Sequence, residues 1–289
     1  MRAASWLLLL VLLAALPARA ELACGDCGAR LVETYYRMPD GRKLCPSCYD
    51  KRQPRCTSCG AKIVGQYLIL EGGRPVCRPC QEGYPGCFVC ALPVVRGGRR
   101  LADGRALCSE HARQAILDPR QAREVLQEAQ QAVLAALGAG MRLRHPVDEV
   151  RLVDAAALAR LMGHAGQGDS HVLGLFRARY VGEERHYTVF FASGLPRERL
   201  LTVAAHEYAH AWHSENHDQY VRCSNEFREG FAEWVSYRVN QRLGREAELK
   251  HLLSQKSGDY LRGLQKFLDL ERRAGLREVL RAATSRAGL

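Results

Sequence analysis

Eleven of the chain's twelve cysteines fall between residues 24 and 108, and they recur at one fixed spacing. Cys24 and Cys27 are followed after seventeen residues by Cys45 and Cys48, Cys56 and Cys59 by Cys77 and Cys80, and Cys87 and Cys90 by Cys108 and His111. The three copies (24–48, 56–80 and 87–111) are each too short to bury a self-sufficient core, so each needs a cross-link or a metal ion. Two residues between cysteines let both sulfurs aim at one centre, and two such pairs complete a tetrahedral Zn2+ site. A disulfide framework is the alternative for a protein in an oxidising compartment. An odd cysteine count and His111 in the place of a fourth cysteine favour zinc, which accepts histidine where a disulfide does not. The expected sites are two of four cysteines and a third of three cysteines and His111. Short alternating runs around glycine turns predict two small β-hairpins in each copy.

Upstream, Arg2 precedes the apolar run Trp6 to Leu16 and then Pro17-Ala18-Arg19-Ala20. This has the plan of a secretory signal peptide over residues 1–20, with the mature chain beginning at Glu21. The run is shorter than the roughly 20 residues that a membrane-spanning helix needs, and no later stretch is longer. The expected location is therefore periplasmic or secreted, with no membrane span. Residues 21–289 are enough for one medium domain beside the cysteine units.

The formal net charge of +11 includes Arg2 and Arg19 of the signal, leaving +9. Eleven zinc-bound thiolates on three ions reduce this to +4, and a fourth ion raises it to +6. The basicity is thus largely offset, and export argues against a nucleic-acid partner.

Beyond residue 111 the composition turns rich in alanine, leucine and arginine. Pro119 at a helix start, then Val125, Ala129, Val133 and Leu137 at spacings of four, predict a connecting helix within 112–144 that stops at Gly138 and Gly140. Arg151-Leu152-Val153 and Tyr187 to Ala192 read as strands, with a short helix around 154–162. The expected fold is α+β: zinc-binding hairpin units over 21–111, then a mainly helical domain with a small sheet over 145–289.

That last domain carries His206-Glu207-Tyr208-Ala209-His210 within a helical pattern set by Leu200, Val203, Ala204 and Tyr208. Histidines four apart project from one helix face and suit a single ion. Glu207, about 100° round the helix from His206, can hold a water at that ion without being a ligand. A second helical stretch, "NEFREGFAEWVSYRV", places Glu229 after His210 with eighteen residues between. Two antiparallel helices joined by such a loop can bring Glu229 under the histidine face, completing a catalytic zinc site with an open position.

This pattern resembles the gluzincin metallopeptidases, where the "NEGFA" of alanyl aminopeptidases corresponds to "REGFA" here. The resemblance implies Glu229 as the third ligand and Glu233, one turn later, as an acid that holds a zinc histidine. It also implies that the strand Tyr187 to Ala192 is an edge strand, its Thr188 to Phe191 pairing with substrate backbone. An oxyanion donor is expected too, with Tyr260 in "SGDYLRG" the candidate.

The cysteine units look like halves of LIM zinc fingers, on the strength of the "CGA" that begins at the second cysteine of the first two copies and the Gly-Arg approach to the third cysteine. Their linkers of seven and six residues exceed the two that join LIM halves, which implies a different hinge. Such fingers imply a protein partner. Fingers and peptidase together are similar to the plant LIM-domain peptidases that restrain organ growth, over roughly residues 24–111 and 145–270, on blocks such as "FASGLPRERLLTVAAHEYAHAW". No ubiquitin-interacting helix is recognisable, so the ubiquitin activation of that family does not carry over to what reads as an exported bacterial relative.

The expected activity is zinc-dependent hydrolysis of peptide bonds in a protein or peptide substrate, with one catalytic and three structural Zn2+. The alternative is a catalytically inactive scaffold, although His206, Glu207, His210 and Glu229 are all present. His213 is expected at the surface or supporting the site, His217 at a helix end, and Cys223 as a buried small residue. Trp212 and Trp234 are expected to pack in the core, and the arginines around 96–100 and 272–273 to lie on solvated faces.

Overall fold

The computed structural model describes residues 22–32, 34–163, 172–182, 184–254 and 258–285. The expected signal peptide lies outside these residues. The fold is α+β, and among the described residues no helix is long and apolar enough to cross a membrane.

Each cysteine unit begins with a tight turn closed by a single bridge: Ala23 with Arg30, Arg55 with Lys62, Gly86 with Pro93. The residue after the second cysteine takes a left-handed conformation, Gly28 and Gly60 in the first two units and Ala91 in the third. Glycine is at ease there, and an alanine is strained. A hairpin follows: β1 (Tyr36–Arg37) with β2 (Lys43–Leu44), β3 (Tyr67–Leu70) with β4 (Arg74–Cys77), and β5 (Arg99–Arg100) with β6 (Ala106–Leu107). The second ligand pair corrects the expectation of two hairpins. It straddles a helix N-terminus, with Cys45, Cys77 and Cys108 capping α1 (Pro46–Arg52), α2 (Arg78–Gly83) and α3 (Ser109–Gln114). Pro46 and Pro79 suit the first turn, where the proline's missing N–H costs nothing.

The linkers produce two kinds of junction. Leu92 and Val95 of the third unit pack against the core of the second, and Arg74 donates to the Cys90 carbonyl at 3.0 Å. Val32 and Val64 hold the position of Val95 in the other two units but are 80% and 83% exposed. Across the first junction Lys62 pairs with Asp50, and both side chains face solvent. The third unit is keyed into the following domain. Arg105 is locked to Asp103 at 2.6 Å and donates to the Ser193 carbonyl at 3.0 Å, while Asp103 accepts from the Ala155 backbone. Leu101 fills the space beside Gly194, where a Cβ would lie 2.7 Å from it. Ile116 and the 194–195 backbone exchange hydrogen bonds of 2.9 Å.

The long helix α4 (Pro119–Leu137) is capped by Asp118, and its buried stripe of Ala122, Val125, Leu126, Ala129, Val133 and Leu137 joins the main core. The segment expected as a connector is thus part of the domain it leads into. Next come β7 (Glu149–Val153), α5 (Ala155–Leu161), β8 (Gly174–Val181) and β9 (Glu184–Ala192), forming a sheet in the order β7-β9-β8. β9 runs parallel to β7 and antiparallel to β8. It is therefore the central strand, with Thr188 paired to both Glu149 and Arg177. That corrects the expected edge strand: Thr188 to Phe191 already have partners on both sides, and the edge beside the helix that carries His206 and His210 belongs to β8.

Five helices complete the domain: α6 (Arg197–Asn216), α7 (Asn225–Arg242), α8 (Glu246–Ser254), α9 (Gly258–Ala274) and α10 (Leu276–Thr284). Trp212 and Trp234 pack in the core as expected, Trp212 against Phe231 at a ring separation of 5.5 Å. The arginines at 96, 99, 100, 272 and 273 are exposed.

Because the third unit is tied to the core and the first is not, ligand loss in the two is expected to differ. Cys108→Ser, costing about 2–3 kcal/mol at roughly 2–4 °C per kcal/mol, lowers the helical melting temperature by about 5–10 °C. Cys45→Ser leaves that transition within about 2 °C, as thermal circular dichroism at a helix wavelength would show.

Candidate metal centre

α6 and α7 pack side by side, and their contact brings His206, His210 and Glu229 to one point. His206 Nε2 lies 3.0 Å from His210 Nε2 and 3.1 Å from Glu229 Oε2, and His210 Nε2 lies 3.3 Å from the same oxygen. A tetrahedral ion with bonds near 2.0–2.1 Å separates such ligands by about 3.3–3.4 Å, so the trio fits a zinc-sized ion. The charges agree. Burial disfavours the charged form of His206, yet its hydrogen bond to Glu229 and the charges of Glu233 and Glu207 prevail and raise its pKa to about 9. Glu229 likewise stays well below the usual carboxylate range against its burial, held by His210 and His206. The pocket favours positive charge, and a cation satisfies all three groups at once.

Both histidines are held from behind. Glu233 Oε1 stands 3.6 Å from His206 Nδ1. The Tyr220 hydroxyl is 3.1 Å from His210 Nδ1. Such partners fix which nitrogen faces the ion. Tyr220 escapes sequence reasoning because it sits in a 3₁₀ turn (Tyr220–Arg222) between the two helices, and nothing in its spacing marks it.

Glu207 is 4% exposed and points to β8, where a Cβ on Gly174 would lie 2.5 Å from its Oε1 and 2.7 Å from Val203. Glycine at 174 is what lets the edge strand approach the acid. Burial raises the Glu207 pKa, against the pull of His206 and His210. Tyr260 stacks on His206 at 6.1 Å between centroids, and burial followed by the Glu229 and Glu207 charges pushes its phenol up, keeping it protonated. It gets there because α9 crosses α7 at Gly230 and Gly263, where a Cβ on either would strike the other helix's backbone.

The cysteine sites are equally regular. All twelve cysteines are free. Cys27 and Cys45 sulfurs lie 3.8 Å apart and those of Cys59 and Cys77 3.9 Å, the edge of a tetrahedron with bonds of about 2.3 Å. His111 Nδ1 lies 3.4 Å from the Cys87 sulfur and 3.3 Å from that of Cys108. In the first two units the first cysteine's sulfur accepts the third cysteine's N–H, Cys45 to Cys24 and Cys77 to Cys56, each at 3.4 Å. Such backbone donors, chiefly that of Cys27, bring the Cys24 thiol down to about 6. These four-residue clusters, with Cys48, Cys80 and Cys90 completing them, can bind zinc.

Two lesser expectations change. His213 is fully buried rather than at the surface, because Phe227 and Phe231 of α7 close over it. Cys223 is partly exposed and lies against His217, which caps the end of α6 as expected. Comparison of the chain with protein families, with curated proteins and with solved structures gives no match, so any function must be argued from this geometry.

The Gly230–Gly263 crossing yields a sign that helix propensity would get wrong. Alanine in a helix normally gains about 0.5–1 kcal/mol over glycine. At residue 263 the clash with the Glu226 carbonyl dominates, so Gly263→Ala is expected to destabilise by about 1–3 kcal/mol in urea unfolding.

Proposed function

We propose that the chain is a zinc-dependent metallopeptidase of gluzincin type. The observation that supports this best is the convergence of His206, His210 and Glu229 within 3.3 Å, with the buried Glu207 beside them facing an edge strand. Zinc bound there would lower the pKa of water and polarise the scissile carbonyl.

The chain's own residues supply the rest. Glu207 takes the proton of the attacking water and delivers it to the leaving amine, a task helped by a carboxyl whose pKa burial has raised. Tyr260, kept protonated at the site, donates to the oxygen that gains negative charge. Glu233 and Tyr220 hold the two histidines in register. The outer edge of β8 is unpaired among the described residues and borders Glu207, so an extended substrate adds there by main-chain hydrogen bonds.

In this proposal the three cysteine clusters are LIM-like zinc fingers with a structural ion each. The first two bear exposed apolar residues, including Val32, Tyr36, Val64 and Ile69, suited to a protein partner. The chain is exported after cleavage before Glu21, and neither nucleic acid nor a membrane span has a place in it.

Glu207→Gln tests the mechanism. The variant is expected to keep the zinc content of the wild type and to lose about 10²–10⁴-fold in cleavage of a peptide library. Wild-type cleavage by that variant would sink the proton-transfer role of Glu207; a wild type that cleaves nothing would favour an inactive zinc-binding scaffold. Tyr260→Phe should also keep its zinc while kcat falls by about 10²–10³.

A further inference from the structure

A second group of metal-ligating side chains lies at the far end of α6. His213 lies in the last turn of α6 and His217, four residues on, caps that helix, and Cys223 comes back to them from the loop before α7. One ligand atom of each lies within 4.8 Å of the others. His213 is the unexpected member. Its ring is 0% exposed, and beyond an approach to the Ala283 backbone its nitrogens have no hydrogen-bond partner. The rings of His217, Tyr220, Phe227 and Phe231 surround it at 5.0 to 5.5 Å. A neutral imidazole carries one donor and one acceptor; the Ala283 backbone can meet only the donor, so the acceptor nitrogen is buried unpaired, which is costly where an apolar side chain would pack without loss. The Cys223 sulfur stands 3.6 and 3.7 Å from the two nitrogens of His217. A tetrahedral ion with Zn–N bonds near 2.0 Å and Zn–S bonds near 2.3 Å sets its nitrogen and sulfur ligands about 3.5 Å apart.

We propose that His213, His217 and Cys223 form a further Zn2+ site, distinct from the His206, His210 and Glu229 centre and from the three cysteine clusters. His217 now accepts the Gln219 N–H on Nδ1 at 3.1 Å and meets the Ser285 carbonyl on Nε2 at 3.0 Å. Coordination uses Nδ1, so that Nε2–H goes on donating to the Ser285 carbonyl and holds the ring in orientation, while the N–H of the partly exposed Gln219 turns to water. The Cys223 thiol releases its proton to solvent as the Zn–S bond forms, and the fourth position is left to water. The site pins residues 217–223, the loop that carries Tyr220 to His210. It is a structural clamp and takes no part in bond cleavage.

Zinc stoichiometry and thiol protection test this on the full chain. Cys223→Ser is expected to hold one zinc equivalent fewer than the wild type. The same drop of one is expected in a Glu229→Gln background, whatever that background has itself lost, so failure of the peptidase reading does not mask the result. In the wild type, alkylation of Cys223 by iodoacetamide, followed by peptide mass mapping, should slow at least about tenfold with Zn2+ bound and recover on chelation. Equal zinc in wild type and Cys223→Ser, or alkylation of Cys223 indifferent to Zn2+, would overturn the site. The alkylation arm uses no substitution, so it decides the matter even where the variant fails to fold.

Discussion

Two imidazole nitrogens and a carboxylate oxygen converging within 3.3 Å, in a largely buried pocket, is an arrangement that cannot stand without positive charge. The lone pairs repel, and burial removes the water that would have screened them. The surrounding fold is arranged to hold that crowding in place. α6 and α7 bring the ligands in, Glu233 and Tyr220 brace the rings, and the glycine crossing lets α9 close the pocket with Tyr260. Fixing ligands in advance costs folding free energy, which a bound ion would return. The aromatic core of Phe227, Phe231, Trp234 and Phe267 along α7 and α9 supplies the rigidity meanwhile.

The cysteine units form a gradient from this rigid body outward. Arg105, Asp103 and Leu101 make the third unit a part of the core, and Leu92 with Val95 fastens the second unit to the third. The first unit has its own small cluster of Cys24, Leu31, Leu44 and Cys48, joined to the second through an exposed ion pair worth little. One repeated sequence thus yields three different mechanical roles. What distinguishes them is the fate of one position, occupied by Val32, Val64 and Val95: exposed twice, covered once. This leaves the first two units better suited than the third to meeting another protein.

Spacing along the chain made the ligands readable. Histidines four apart, an acid one loop later and cysteines at a repeated interval are local patterns, and the stripe of Val125, Ala129, Val133 and Leu137 likewise marks its helix. What the sequence did not disclose depends on partners distant in the chain. Tyr220 matters because its turn folds back on His210, and His213 is buried because α7 lays Phe227 and Phe231 over it. β8 is hard to read from sequence although "GLFRARYV" alternates, because its arginines weaken the apolar signal. The edge position expected of β9 rests on the gluzincin resemblance alone, and the pairing of β9 with both β7 and β8 makes it central instead. The helical second ligand pair was hidden for another reason, since Cys-Pro-Ser-Cys is as good a turn as a helix start until the tertiary fold decides.

The exposed edge of β8 bears on function through a hazard that proteins usually suppress. An unpaired strand offers its backbone groups to any passing chain, and charge is the common safeguard. β8 carries Arg177 and Arg179 at alternate positions, and Arg185 of the neighbouring strand lies over the Tyr180 ring at 5.7 Å. A strand made only to cover the core would more simply have been paired or capped. Instead Gly174 brings the start of β8 against Glu207, next to the proposed zinc ligands, so the unpaired backbone begins where bond cleavage would occur. The arginines restrain association between sheets while main-chain groups stay free, so the proposed peptidase reading gives this edge a use: an extended peptide paired there would lie beside Glu207.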